Sequence, residues 1–340
     1  MYNIKMATRK VMVGNVAVGG GAPVSVQSMT NTKTVDVEAT LVQIRALATA
    51  GCEIVRCAVP DTQSAAAMRS ITGSSPIPVV ADIHYDYRLA IQSAQNGAAA
   101  VRINPGNIGS EKGVAELCAA VKDLKIPVRV GVNGGSLEPN TTMAQSALRH
   151  AEILRKHGVE DIVLSVKSSN VRETVEANRV LHRECGYPLH LGLTEAGTQS
   201  SGLIKSAAAI GALLLEGIGD TIRVSLSGDP VPEIAAGIGI LRAVGLRRDY
   251  VEVIACPTCA RSEIDVAAWA ESIERMSAHI KKPLKIAVMG CAVNGLGEGA
   301  HADVGIAGGK HKSVLFKAGK KVGVTANENA FAELLKLCNF

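Results

Sequence analysis

The chain has 340 residues, 47% of them hydrophobic and 20% charged, a size and composition that suit one large globular domain with a smaller one beside it. A formal net charge of +5 with only 3% aromatic residues excludes a stacking platform for single-stranded nucleic acid, so the cations point to a small anionic ligand. No apolar stretch approaches a membrane span and no signal-peptide core follows the basic N-terminal residues, which predicts a cytoplasmic protein.

Apolar runs of strand length recur at residues 23–29, 52–59, 78–83, 99–103, 127–132, 161–166, 189–193 and 221–226. Helix-forming segments fill the intervals at residues 37–50, 64–70, 87–96, 112–124, 142–156, 171–183 and 201–215. Several of these stop at Gly51, Gly97, Gly158 and Gly217, where a left-handed cap needs a residue without Cβ. Eight strand–helix units within about 250 residues predict an α/β fold, a (β/α)8 TIM-type barrel. A doubly wound open sheet is the competing architecture, but it seldom runs to so many regular units.

Near Leu246-Arg247-Arg248-Asp249 the rhythm changes, placing a domain boundary between residues 1–247 and 248–340. The C-terminal segment reads as a small α/β domain: a strand at 250–255, a helix at 264–280, strands at 284–289 and 303–307, a hairpin around Ala318-Gly319-Lys320, and a closing helix at 328–338. Its cysteines fall at strand ends, where open α/β sheets present ligand sites.

In a barrel the chemistry sits at the C-terminal strand ends, and residues two apart share a face. Parity therefore selects the mouth. Asp82 pairs with His84, Arg102 with Asn104, Arg129 with Asn133, Ser165 with Lys167 and Arg223 with Ser225, while Arg56 and Glu195 lie near the ends of their own strands. Five cations (Arg56, Arg102, Arg129, Lys167, Arg223) then face two carboxylates, Asp82 and Glu195, and the excess asks for a multiply anionic guest. Arginine's planar fork suits phosphate oxygens, and a diphosphate is the economical choice. A single strand-end arginine is more often solvated or ion-paired, and His84 alone would more often be a structural histidine held by Asp82; the regular series is what carries the reading.

The eight cysteines are too few for a disulfide scaffold in a chain of this length. Cys256-Pro257-Thr258-Cys259 by itself fits a redox dithiol, half a zinc site or part of a cluster site. Cys291, in Gly290-Cys291-Ala292-Val293-Asn294-Gly295-Leu296-Gly297-Glu298, argues against the dithiol. Zinc would draw a fourth ligand from His301 or His311 in an uncommon spacing, whereas an iron–sulfur cluster tolerates wide spacing because its thiolates bind different irons. Glu298 is placed to complete the set as a weaker, displaceable carboxylate; the competing readings are an ordinary loop carboxylate, and Cys338 as the fourth ligand. Cys52, Cys57, Cys118 and Cys185 read as structural.

The segments Val26-Gln27-Ser28-Met29-Thr30-Asn31-Thr32, Ala81-Asp82-Ile83-His84-Tyr85-Asp86-Tyr87-Arg88, Arg102-Ile103-Asn104-Pro105-Gly106-Asn107, Thr194-Glu195-Ala196-Gly197 and Cys256-Pro257-Thr258-Cys259 closely resemble the 4-hydroxy-3-methylbut-2-enyl diphosphate synthase family. The resemblance covers nearly the whole chain; Leu296 departs from it where the family usually has proline. It implies a two-domain bacterial-type enzyme of the methylerythritol phosphate route to isoprenoids. The implied reaction is the two-electron reductive ring opening and dehydration of 2-C-methyl-D-erythritol 2,4-cyclodiphosphate, with flavodoxin or ferredoxin as donor. It further implies a [4Fe–4S] cluster held by Cys256, Cys259, Cys291 and Glu298. The substrate diphosphate would be held by Arg56, Arg102, Arg129, Lys167 and Arg223, with Asn133, Asp82, His84 and Arg261 nearby and Glu195 delivering a proton. A homodimer with shared active sites and a closing motion about the domain boundary are also implied. The alternative to this reading is a non-redox phosphate-binding barrel lyase or synthase carrying a structural zinc domain.

Overall fold

A computed structural model describes residues 8–103, 111–137, 140–291, 297 and 299–339, so Asn104, Leu296 and Glu298 lie outside the described residues. The chain divides into two compact units, with the break between Leu246 and Arg247.

The first unit opens with a hairpin, β1 (Val11–Val13) and β2 (Val16–Val18), paired antiparallel across Gly14-Asn15. The barrel strands come next: β3 (Ser25–Met29), β4 (Ile54–Ala58), β5 (Val79–Ile83), β6 (Ala100–Ile103), β7 (Val128–Asn133), β8 (Ile162–Lys167), β9 (His190–Leu191) and β10 (Thr221–Ile222). They form one parallel sheet in the order β8-β7-β6-β5-β4-β3-β10-β9, and a parallel bridge from Leu164 to Leu189 brings β8 back beside β9. This is the predicted TIM-type barrel, nearly closed. The last two strands are shorter than their apolar runs suggest, although backbone bonds such as Arg223 N–H to Leu191 O (2.9 Å) continue the ladder past their ends.

Most helices start where the sequence offers a cap. Asp36 accepts from Ala39 N–H at the start of α1 (Val37–Thr49), Asp61 from Ser64 N–H at α2 (Thr62–Ser74), and Asp86 from Arg88 N–H at α3 (Tyr87–Gln95). α4 (Glu111–Asp123) precedes α5 (Met143–Lys156), where Thr142 and Gln145 make a reciprocal capping box, and Asn170 caps α6 (Val171–Glu184). α7 (Gln199–Leu215) and α8 (Val231–Ala243) complete the ring. α8 has no counterpart among the helices expected from sequence; its near-continuous apolar run gives little helical periodicity to detect. Gly51, Gly97, Gly158 and Gly217 all have positive φ at the helix-to-strand turns, as caps require.

Two layers of apolar residues hold the barrel. Alternate strand residues such as Val55, Cys57, Ala81 and Val101 face outwards into the helix ring and are buried there. At the N-terminal end of the strands, Val13 and Val18 of the hairpin close over Ile54, Val80 and Ala100. The hairpin is the floor of the barrel, and this leaves the C-terminal end for the polar residues.

The second unit is a mixed sheet in the order β11-β12-β13-β14-β15: β11 (Val251–Ala255), β12 (Leu284–Met289), β13 (Val304–Ala307), β14 (Lys312–Lys317) and β15 (Lys320–Ala326). The first three strands are parallel and the last two antiparallel. α9 (Val266–Ser277), capped by Asp265, and α10 (Asn327–Cys338) contribute Val266, Ile273, Ala330, Leu334 and Cys338 to a core with Ile286, Val288 and Ile306. Among the described residues no helix is long and apolar enough to cross a membrane.

Candidate active site

Strand parity places the predicted residues as expected, inside the barrel at the C-terminal end. Arg56, Asp82, His84, Arg102, Arg129, Asn133, Ser165, Lys167, Glu195, Arg223 and Ser225 line one cavity of about 260 Å³ together with Met29. A larger pocket of about 910 Å³ opens from it, sharing His84, Arg102, Asn133, Thr194 and Glu195 and adding Leu137, Met143 and Val180 as apolar wall.

Asp82 is the hub of this cavity. Its Oδ1 accepts from Arg102 Nη1 at 3.0 Å, and its Oδ2 lies 3.5 Å from Arg56 Nε and 3.4 Å from His84 Nε2. Burial pushes the carboxyl pKa up, but Arg56, His84 and Arg102 together outweigh it and hold Asp82 well below the usual carboxylate range. It is an ionised acceptor shared by two guanidinium groups, so each keeps donors to spare.

The other cations are less satisfied. Arg129 donates from Nη1 to Gln27 Oε1 at 2.6 Å across the barrel, while its Nε and Nη2 have no hydrogen-bond partner. Neither Arg129 nor Lys167 enters an ion pair among the described residues. Burial, then the neighbouring guanidinium groups Arg56 and Arg102, push Arg129 down to about 9. Burial and the four arginines likewise push Lys167 well below its usual value. Unmet buried donors cost about 1–3 kcal/mol each, more when charged. Such a site is arranged for a polyanion, whose oxygens would satisfy these donors and offset the mutual repulsion.

Two glycines make this crowding possible. A Cβ on Gly131 would come within 2.7 Å of Arg102 Nη2, and one on Gly192 within 2.9 Å of Lys167 Nζ and 2.5 Å of Arg223 O. Glu195 stands just beyond β9 at φ +51°, a left-handed conformation that a side chain other than glycine adopts at a cost. That turn aims the carboxyl into both pockets.

Three further residues also belong here. Glu233, buried in the first turn of α8, lies 3.5 Å from Arg223 Nε and accepts from Ser28 Oγ and Leu226 N–H at 2.9 Å each. It adds a third carboxylate to the expected two, reducing the cationic excess. Met29 Sδ accepts from Arg56 Nη2 at 3.0 Å. His190, on β9, is fully buried. Parity along residues 190, 192 and 194 would have found His190, but a helix-borne Glu233 leaves no such mark.

In the second unit, Cys256 follows β11 and Cys291 follows β12; these strands are parallel, with Ala255 opposite Val288, so both cysteines emerge at one end of the sheet. Gly290 N–H donates to Cys256 Sγ at 3.2 Å. Thr258, at φ +49°, turns the chain between Cys256 and the exposed Cys259. Backbone and side-chain hydrogen bonding from Arg261 holds the Cys259 thiol below its usual pKa, favouring the thiolate that ligates metals. Arg261 thus stands beside this cysteine. Cys52, Cys57, Cys118 and Cys338 are buried, and burial pushes each thiol up, Cys338 to about 11. Cys338 packs in the core with Ala330 and Leu334. Among the described residues no three His, Cys, Asp or Glu side chains gather as ligands of a single ion.

Residues 8–238 match the family model described as the GcpE TIM-barrel domain, and residues 252–339 match that of the GcpE protein C-terminal domain. The chain is 52% identical over 346 aligned positions to a 4-hydroxy-3-methylbut-2-en-1-yl diphosphate synthase (flavodoxin) of Caldanaerobacter subterraneus subsp. tengcongensis, covering 99% of this chain and 98% of the relative. It belongs to this synthase family. A second member, from Thermotoga petrophila, is 54% identical over 317 residues, covering 92% of each chain. Among solved structures the barrel is similar to 3-dehydroquinate dehydratase of Geobacillus kaustophilus, with a TM-score of 0.52, 14% identity, and coverage of 71% of this chain and all 100% of that one. Dihydropteroate synthase of Yersinia pestis gives 0.52 at 13% identity, covering 69% and 98%. At such identities the likeness is one of fold alone.

Proposed function

We infer that the protein catalyses the two-electron reductive ring opening and dehydration of 2-C-methyl-D-erythritol 2,4-cyclodiphosphate to 4-hydroxy-3-methylbut-2-enyl diphosphate, with flavodoxin as donor. The observation that carries this is the cationic cavity with its unmet arginine donors, in a chain that shares half its residues with synthases so named. Arg56, Arg102, Arg129, Lys167 and Arg223 bind the diphosphate, and Asn133 and His84 orient it. Asp82 keeps Arg56 and Arg102 aimed. Glu195 passes a proton to the hydroxyl that leaves as water.

Cys256, Cys259, Cys291 and Glu298 hold a [4Fe–4S] cluster, which supplies electrons one at a time when bound. The donor set fits it: thiolates emerge from one sheet end, and a cluster takes each on a separate iron, where a single tetrahedral zinc ion needs its ligands gathered at one point. Each active site is completed by a second copy of the chain in a homodimer.

Anaerobic purification followed by an absorption spectrum, iron and sulfide analysis and turnover of the cyclodiphosphate tests this reading. Brown protein with iron and labile sulfide is expected. Colourless protein holding stoichiometric zinc would favour the phosphate-binding lyase or synthase instead. Glu298→Ala is expected to alter the spectrum and turnover while leaving the fold intact; unchanged values would remove Glu298 from the ligand set.

A further inference from the structure

Beneath the anion cavity the barrel holds a second polar layer that the proposed reaction does not use. Thr221 pairs with His190 on one side and Ser25 on the other, across β9, β10 and β3. These three side chains face the barrel interior. Thr221 is two residues before cavity-lining Arg223, Ser25 is two before Gln27, which Arg129 reaches from the opposite wall, and His190 is two before Gly192, which abuts Lys167. All are buried, and four of the layer's polar atoms lack a partner: Ser25 Oγ, both ring nitrogens of His190, and Thr221 Oγ1; Gln27 Nε2 and, in the cavity above, Arg129 Nε and Nη2 are likewise unpartnered. Polar atoms so gathered call for ordered water to satisfy them, which gives the imidazole acceptors for a second N–H.

We propose that His190 is the proton-accepting residue of this layer, neutral while the cavity above it is empty and cationic once a diphosphate-class anion occupies it, so that anion binding and proton uptake are a single event. The inference rests on the diphosphate reading of the cavity. His190 is surrounded by charges of one sign: burial first, then Arg129 on β7, Lys167 on β8, Arg56 on β4 and Arg223 just past β10, hold the imidazole well below its usual range. The nearby carboxylates are committed elsewhere. Asp82 on β5 is shared by Arg56 and Arg102, Glu233 on α8 lies beside Arg223, and Asp220 accepts from Thr8 Oγ1 and Leu189 N–H at 2.9 Å each. An arriving polyanion offsets those same four cations and removes the repulsive part of the obstacle to a fifth charge, while water ordered in the layer meets the part due to burial. His190 thereby acts as a positioning residue, adding positive potential under the guest without touching it.

The test is calorimetric titration of the full-length holoenzyme with inorganic pyrophosphate in buffers of different ionisation enthalpy, which counts protons taken up on binding. His190→Gln retains a polar side chain without the titration; His190→Asn serves if the glutamine variant melts early. Uptake in the variant is expected to fall by roughly half a proton to one proton per site, and the pH dependence of pyrophosphate affinity between about pH 6 and 8 to flatten. A histidine with a purely structural role would change affinity equally at every pH and leave the proton count alone. Equal uptake by wild type and a folded variant would overturn the inference while leaving the diphosphate reading intact. Failure of the wild type itself to bind pyrophosphate would sink that reading and this inference with it.

Discussion

Asp82 shows how one carboxylate organises the cavity. Removing its charge leaves Arg56 and Arg102 buried and unpaired, and breaking a buried pair in this way costs about 3–5 kcal/mol. Asp82→Asn is therefore expected to lower the melting temperature sharply, with part of the loss restored by pyrophosphate; an unchanged melt would show that the hub is dispensable. Gly131→Ala acts on the same arginine from the other side, since the new methyl would occupy the place of the Arg102 guanidinium. Overpacking of this kind costs about 1–3 kcal/mol, and pyrophosphate affinity is expected to fall about tenfold with it. The charged groups also set a sign for the pH dependence. Lys167 and His190 bind protons less readily in the folded chain than in the unfolded one. As pH falls through their unfolded values, about 10.4 and about 6.5, the unfolded state takes up protons first and stability drops. Asp82 has the same sign at lower pH: its contribution is complete above about 4 and is lost as pH falls toward its depressed folded value. Melting temperature in the free protein should thus decline steadily from about pH 9 to about pH 5.5, and saturating pyrophosphate should flatten the decline. A maximum near pH 6 in the free protein would contradict the depressed values.

At the scale of elements, the β1–β2 hairpin gives the barrel its polarity. Val13 and Val18 cover Ile54, Val80 and Ala100, so water is kept from the floor and the polar residues are left at the mouth. Val18→Ala should cost about 2 kcal/mol in urea denaturation, with little effect on anion binding measured in the folded protein. The hairpin was within reach of the sequence: Val11-Met12-Val13-Gly14-Asn15-Val16-Ala17-Val18 sets two short apolar runs, each with valine at its first and third positions, around a two-residue Gly-Asn turn. Three-residue strands are too short to stand out by periodicity, and only their packing on the barrel makes them stable. The second unit has a comparable device in Phe316. Its ring occupies space that a Cβ on Gly299 or Gly305 would fill, locking β14 against the turn that ends the Cys291 loop. Elements far apart in sequence are joined there by the absence of two side chains.

For the whole molecule, the anion site and the cluster ligands proposed above lie in separate compact units. A change in one should leave the other's chemistry measurable. Phe316→Ala, at about 3–5 kcal/mol, is expected to reduce iron and sulfide content while the pyrophosphate dissociation constant stays within about twofold. Parallel loss of both would show the two functions to be inseparable. Parity, caps and glycine positions were enough to read the barrel and its ring of cations from sequence, because in a strand neighbours along the chain fix which face a residue takes. The cysteine spacing placed Cys256 and Cys291 after two strands, and the parallel pairing of those strands brings both to one end of the sheet. Only the tertiary structure decided that Glu233 reaches Arg223 from a helix, that Gly131 and Gly192 vacate room for Arg102 and Lys167, and that His190 lies among four cations. These depend on distances across the barrel, between residues that no local pattern relates. Chain chemistry determined which charges this protein carries; closure of the sheet decided which of them must share one small volume, and it is that proximity on which the proposed polyanion site rests.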